Sequence, residues 1–383
     1  MLLQALKQFL LILLKLSRHA YQFAHTRVLR LQKRHQTRSH EQKGGLAVRF
    51  SARRVAIVVL SSDNHAAPFI VNLMNGLAEN GFFILAVAAR KLPPDLKNSV
   101  LSHCHHVIEK FSIRPDFGSI KTGWEWIKKN DALQGIDKLA IANDSLYYPK
   151  RISSTIGQML ALKGDWLSLF ESSPLPAHPQ SFFQILRAPV FKADAFEEFW
   201  HNDAITTARL HEIVTGETGL ASALLKAGFA SQAYYHVARV QADILAALEN
   251  ESIPAGLQDA LSLTLGFERN SKNGRLPPRA QGALTLPVSE VARRIGKLAE
   301  GNNPAHALGL LCNYLYQAPV KRDICSYNAL DAHDLLALVQ GFSVTEKKAM
   351  TADLARLSIA ANIAGIRKLP QRFVRTAQRK QDS

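Results

Sequence analysis

Cysteine is scarce in this chain. Cys104, Cys312 and Cys325 are the whole complement, an odd number with no paired spacing. That argues against a disulfide framework and points to a reducing compartment. Glycine-rich phosphate loops are also missing. Neither G-x-G-x-x-G nor G-x-x-x-x-G-K-[ST] occurs, which disfavours dinucleotide and P-loop chemistry. Proline and glycine are absent from residues 1–31. The short apolar run at 9–14 is followed by no small-residue cleavage site, so a secretory signal is not indicated. Lys7, Lys15 and Arg18 break up the span of about 20 apolar residues that a transmembrane helix needs.

One sign of charge is nearly missing from the two ends. Residues 1–54 carry 12 Lys/Arg against Glu41 alone, and residues 367–383 carry six against Asp382 alone. The tails supply the whole net charge of +16, and the body between them is neutral. A nucleic-acid binder would carry its basic residues on the body, interleaved with aromatics, so the expectation is no nucleic-acid partner.

Placed on a helical wheel, Gln4, Lys7, Gln8, Lys15, Arg18, His19, Gln22 and His25 share one arc of roughly 120°, interrupted only by Leu11. Leu3, Leu6, Phe9, Leu10, Leu13, Leu14, Leu16 and Phe23 cover the rest. A wide apolar face with a narrow basic stripe predicts a helix lying in a membrane interface over residues 1–34. Packing on the protein's own core or on another copy, or a short membrane anchor, would use the same pattern. Residues 35–53 read as a polar linker, with Gly44-Gly45 inside it.

Residues 55–60 are β-branched and apolar throughout, as in a strand buried on both faces. A helix is expected at 68–80, a strand at 82–87, a short helix from Pro93-Pro94, a strand at 106–111, a helix at 119–129 and a strand at 138–142. This alternation predicts an α/β fold, a mostly parallel sheet flanked by helices. Ligands of such sheets bind beyond the carboxyl ends of the strands. Two polar groups fall there, Asp63-Asn64 and Asn143-Asp144-Ser145. After about residue 210 only helices are expected, at 218–227, 231–249, 288–299, 305–316, 332–340 and 345–366. The cluster His103-Cys104-His105-His106 lacks a second ligand pair and reads as a loop entering a strand.

Three stretches together resemble the rhamnan synthesis F family of glycosyltransferase-like proteins of bacterial polysaccharide and lipopolysaccharide assembly. They are Pro115-Asp116-Phe117-Gly118-Ser119-Ile120-Lys121-Thr122-Gly123, Asn143-Asp144-Ser145-Leu146-Tyr147-Tyr148-Pro149, and His178-Pro179-Gln180-Ser181-Phe182-Phe183 with Phe196-Glu197-Glu198-Phe199-Trp200. Glu217 with Gly228-Phe229 is similar to a further segment. The chain departs from the family pattern at Tyr148, where a glycine is usual, at Arg114, and at Pro179.

The resemblance implies a GT-A-like domain over 54–240, followed by a helical region at 241–366 and a basic tail at 367–383. It implies transfer of rhamnose or a related sugar from a nucleotide-sugar donor to a glycan or lipid-linked acceptor, on the inner face of a membrane. Asp144 would hold the donor diphosphate through Mg2+ or Mn2+ or through hydrogen bonds. Asp63, Asp116, Gly118, Lys121, Asn143 and Ser145 would shape the donor pocket. Gln180, Ser181 and Glu217 would meet the acceptor, and His178 would act as a general base. Each has a plainer reading: turn chemistry at 143–145, a helix cap at Asp116, a tight backbone at Gly118, a solvated face at Lys121, loop fixing at 180–181. A non-catalytic scaffold of the same fold is the alternative function, and Tyr148 is the departure that favours it.

Overall fold

The computed structural model describes residues 39–46, 53–60, 67–112, 115–130, 135–172, 178–201, 216–249, 255–270, 287–301, 304–327 and 332–363. The expected interfacial helix at 1–34, the basic tail at 367–383 and Asp63 lie outside them.

The run of branched residues Arg54–Leu60 forms strand β2, with every residue from Val55 to Leu60 buried. Helix α1 (Ala67–Glu79) follows and ends at Gly81, whose φ of 76° suits a residue without a Cβ. Strand β3 (Phe82–Ala88), helix α2 (Pro94–His103), strand β4 (His106–Glu109), helix α3 (Pro115–Lys129) and strand β5 (Lys138–Asn143) continue the alternation. Strands β3 and β5 both pair parallel to β2, one on each side, and β4 pairs parallel to β3.

The sheet goes further than the sequence reading, which ends its strands at residue 142. After β6 (Leu146–Tyr147) and helix α4 (Ile152–Ala161) come β7 (Trp166–Ser168), β8 (Glu171–Ser172), β9 (His178–Pro179) and β10 (Phe183–Arg187). Helices α5 (Ala188–Phe191), α6 (Asp194–His201) and α7 (Thr218–Lys226) precede β11 (Ser231–Ala233). With β1 (His40–Lys43) at one edge, the eight-stranded sheet has the order β1-β4-β3-β2-β5-β10-β7-β11. Strand β10 runs antiparallel between β5 and β7, so its first residue lies at the edge where β5 ends.

Four expectations need correction. The segment read as a linker contains β1 (His40–Lys43), an edge strand antiparallel to β4. Four polar, exposed residues on a solvated edge give no hydrophobic signal. The helix expected from residue 231 begins with β11 and becomes α8 (Val237–Glu249) only later. The region expected to be all helix also contains β12 (Val320–Lys321), which pairs antiparallel with β6. Helix α3 starts at Pro115, four residues earlier than expected, so Asp116 sits in its first turn and does not cap it.

The strand side chains alternate between two cores. Ala56, Val58 and Leu60 face one, with α1, α2, α4 and the C-terminal helices. Val55, Ile57 and Val59 face the other, with α3, α6 and α7. The C-terminal helices are α9 (Ala255–Asn270), α10 (Val288–Gly301), α11 (Pro304–Ala307), α12 (Gly309–Tyr316), α13 (Ile324–Tyr327), α14 (Ala332–Leu338) and α15 (Val344–Ile363). Their buried residues, including Leu311, Leu335 and Met350, belong to the first of these cores. At full burial each such side chain contributes about 1.5–3 kcal/mol relative to exposure.

Candidate active site

Strand β2 has β3 on one side and β5 on the other, so the chain reverses its lateral direction there. A crevice opens at such a point beyond the carboxyl ends of the strands. Strand β2 ends at Leu60 on this edge, and Asn143-Asp144-Ser145 leave β5 beside that end. Asn143 and Asp144 are buried. The Asn143 side chain closes the turn: its Oδ1 accepts hydrogen bonds from the Ser145 N–H (3.1 Å) and the Ser145 hydroxyl. The plainer reading of this segment as turn chemistry is therefore real, and it is also what presents the segment at the rim.

Because β10 is antiparallel, the residues before it reach the same rim. The Asn143 N–H donates to the Phe182 carbonyl at 3.1 Å. The Ser181 N–H donates to Glu217 Oε1 at 2.8 Å. Next to Glu217, Gly216 lies flat on the Phe117 ring; a Cβ there would come within 2.7 Å of it. Phe117 follows Asp116 in the first turn of α3. A continuous chain of contacts thus links 143–145, 181–182, 216–217 and 116–117. Asp116 is exposed there, an acid where the positive end of the α3 dipole favours one.

His178 and Gln180 are buried, with His178 in the short β8–β9 ladder. The Gln180 N–H donates to the Phe170 carbonyl at 2.9 Å. Gly118 and Lys121 stand farther from the rim, within α3. The Gly118 carbonyl accepts from the Thr122 hydroxyl, and Lys121 is half-buried about 7 Å along the axis from Asp116. Phe196 and Trp200 are core residues on α6.

Tyr148, the departure from the family pattern, is wholly buried. Its hydroxyl lies 3.0 Å from the Asn143 carbonyl and 3.2 Å from the Phe182 carbonyl, bridging the two strand ends. Burial, and then the Asp144 carboxylate, push its phenol well above the usual range, so it stays a neutral donor. It braces the rim from below. The side chain lies in the core.

The rim also holds residues that the sequence did not single out. Strand β12 brings Lys321 and Arg322 to it. Lys321 Nζ donates to the Ser145 hydroxyl at 3.1 Å and stands 4.6 Å from the centre of the Phe182 ring. Arg322 donates to the Asp144 carbonyl at 2.9 Å and makes a double contact with Asp353 at 2.7 and 2.8 Å. Asp353 is fully buried on α15 and also accepts from the Tyr147 hydroxyl at 2.8 Å. Burial by itself would raise the Asp353 pKa. The hydrogen bonds and charge of Arg322 outweigh it and hold the carboxyl below its ordinary value. The available sequence signal was slight: two basic residues just after Pro319, in a body with no net charge.

Among the described residues no three His, Cys, Asp or Glu side chains gather as a cation site. The cationic groups of Lys321 and Arg322 at the rim suit an anionic ligand. In the His103–His106 cluster, Cys104 is buried and its thiol is pushed up to about 12 by that burial. His105 Nδ1 accepts from the Ile84 N–H at 2.9 Å. Among the described residues no helix is long and apolar enough to cross a membrane.

No family model matches the chain. It is 23% identical over 229 residues to y4gN of Sinorhizobium fredii, an uncharacterised protein, covering 57% of this chain. The aligned part spans 58% of that relative's length. Among solved structures it is similar to a protein of Desulfovibrio desulfuricans described as a nucleotide-diphospho-sugar transferase. The identity is 12%, the TM-score is 0.32, and the match covers 63% of this chain and 96% of that one.

Proposed function

We propose that this protein is a glycosyltransferase. It would move a sugar, rhamnose or a related deoxysugar, from a nucleotide-sugar to a lipid-linked or polysaccharide acceptor in cell-surface glycan synthesis. The observation that carries this reading is the convergence of Asn143-Asp144-Ser145, Gln180-Ser181 and Glu217 on one rim of a mostly parallel sheet, at its switch point. The order of the three resembling stretches along the chain gives it a substrate class.

In this proposal the donor lies over 143–145, with Asp63, three residues after β2 in the sequence, and Asp116 at the start of α3 completing its pocket. Gln180, Ser181 and Glu217 face the acceptor. The bond from the sugar's anomeric carbon to the diphosphate breaks, and a bond to the acceptor oxygen forms. His178 takes the acceptor's hydroxyl proton, and the nucleoside diphosphate leaves with the electron pair. The N-terminal segment 1–34 would hold the enzyme at the inner membrane surface, where a lipid-linked acceptor resides.

A thermal-shift screen of nucleotide-sugars tests the donor class, since a ligand at about 100 times its Kd stabilises the fold by about 2.7 kcal/mol. With the donor so identified, Asp144→Ala should lower transfer by about 100-fold or more without unfolding the protein. Transfer at the wild-type rate in that variant would overturn the assignment.

A further inference from the structure

We infer that Lys321, supplied by the C-terminal region, meets the charge of the donor's diphosphate at this rim without a divalent cation. The inference rests on the transferase reading and adds to it the group that holds the leaving phosphates.

Lys321 is the second residue of β12, whose pairing with β6 sets it opposite Leu146. Its ammonium reaches the Ser145 hydroxyl, and that hydroxyl in turn donates to Asn143. The charge is therefore anchored to the turn at the carboxyl end of β5, beside the switch point. Its half-buried stem and the Phe182 face partly desolvate it, which strengthens attraction to an anion.

Arg322 is committed to Asp353 and to the Asp144 carbonyl, so it positions the lysine's strand. An ammonium with three donors suits a phosphate group, and it does at this rim what a bound cation does elsewhere.

The test uses the full-length protein in EDTA, with isothermal titration of UDP, GDP and dTDP and of the nucleosides lacking phosphate. Wild type is expected to bind at least one diphosphate under these conditions. Lys321→Met should weaken that diphosphate roughly tenfold or more, leave the matching nucleoside unchanged, and flatten the salt dependence of diphosphate binding. Lys321→Arg should keep most of the affinity.

Unchanged diphosphate binding by Lys321→Met would overturn the inference. So would an equal loss of nucleoside and diphosphate, which marks a structural role, or wild-type binding that requires added Mg2+ or Mn2+. If wild type binds none of the diphosphates with or without those metals, the transferase reading itself fails. That result is distinct from the other three.

Discussion

Arg322 and Asp353 show how one buried contact can hold the rim of the sheet at a distance. Asp353 is fully buried and Arg322 nearly so, and together they fix the Asp144 carbonyl and the Tyr147 hydroxyl. Breaking such a pair from one side leaves the other charge stranded. Asp353→Ala is expected to cost roughly 3–5 kcal/mol of stability at neutral pH. The folded carboxyl titrates below the unfolded one, near 3.9. Its stabilisation is therefore complete above that value and is lost as pH falls through the lower, folded value. Urea unfolding at neutral and acidic pH should show the gap between wild type and Asp353→Ala closing with acid. A gap that stays constant would show that the pair does not set the carboxyl's pKa.

At this scale the sequence was informative where a side chain sits on a readable element. Asn143, Asp144 and Ser145 could be found because the apolar run 138–142 makes the end of β5 visible. Lys321 could not. A two-residue strand has no periodicity, and its partner is Ser145, 176 residues away. Tyr148 looked like an intrusion because a motif records residue type and not direction. Its ring points into the core, where it braces the rim.

Among the elements, α3 depends most closely on one residue. Gly123 packs on β2, and a Cβ there would stand 2.8 Å from Ile57 Cγ2. Helix propensity alone predicts that Gly123→Ala gains about 1 kcal/mol. Overpacking against a sheet buried on both faces costs about 1–3 kcal/mol, so a net loss is expected in urea unfolding. Repeating the substitution in an Ile57→Ala background should shrink that loss, because the clashing methyl is gone. A stabilising Gly123→Ala in the wild-type background would mean that α3 sits farther from β2.

The strands β2, β3 and β5 were legible for the same reason that α3 packs so closely: both faces are covered, so each is dominated by an apolar run, whereas β4 offers only Val107-Ile108. Three shorter strands, β7, β11 and β12, were not, having two or three residues each. Nor was β1, whose residues all face solvent. The helices near the C-terminus were mostly found by their period, with ends displaced by a few residues.

For the molecule as a whole, the C-terminal helices are not an appendage. Asn72 on α1 donates to Glu346 on α15 at 2.6 Å, and Met350 and Leu354 share a core with Leu146 and Tyr147. A chain ending at residue 249 would expose that core. It is expected to bind a hydrophobic dye and to lose its cooperative thermal transition. Cooperative unfolding of such a truncated chain would instead mark residues 39–249 as an independently folding unit.

The ladder between β6 and β12 also orders events during synthesis. The ribosome delivers the two strands far apart, β6 at 146–147 and β12 at 320–321. Every nascent chain shorter than that lacks the strand that closes the rim. Under the proposed reading, a chain made only as far as β6 would carry the turn at 143–145 without the ammonium that meets the diphosphate.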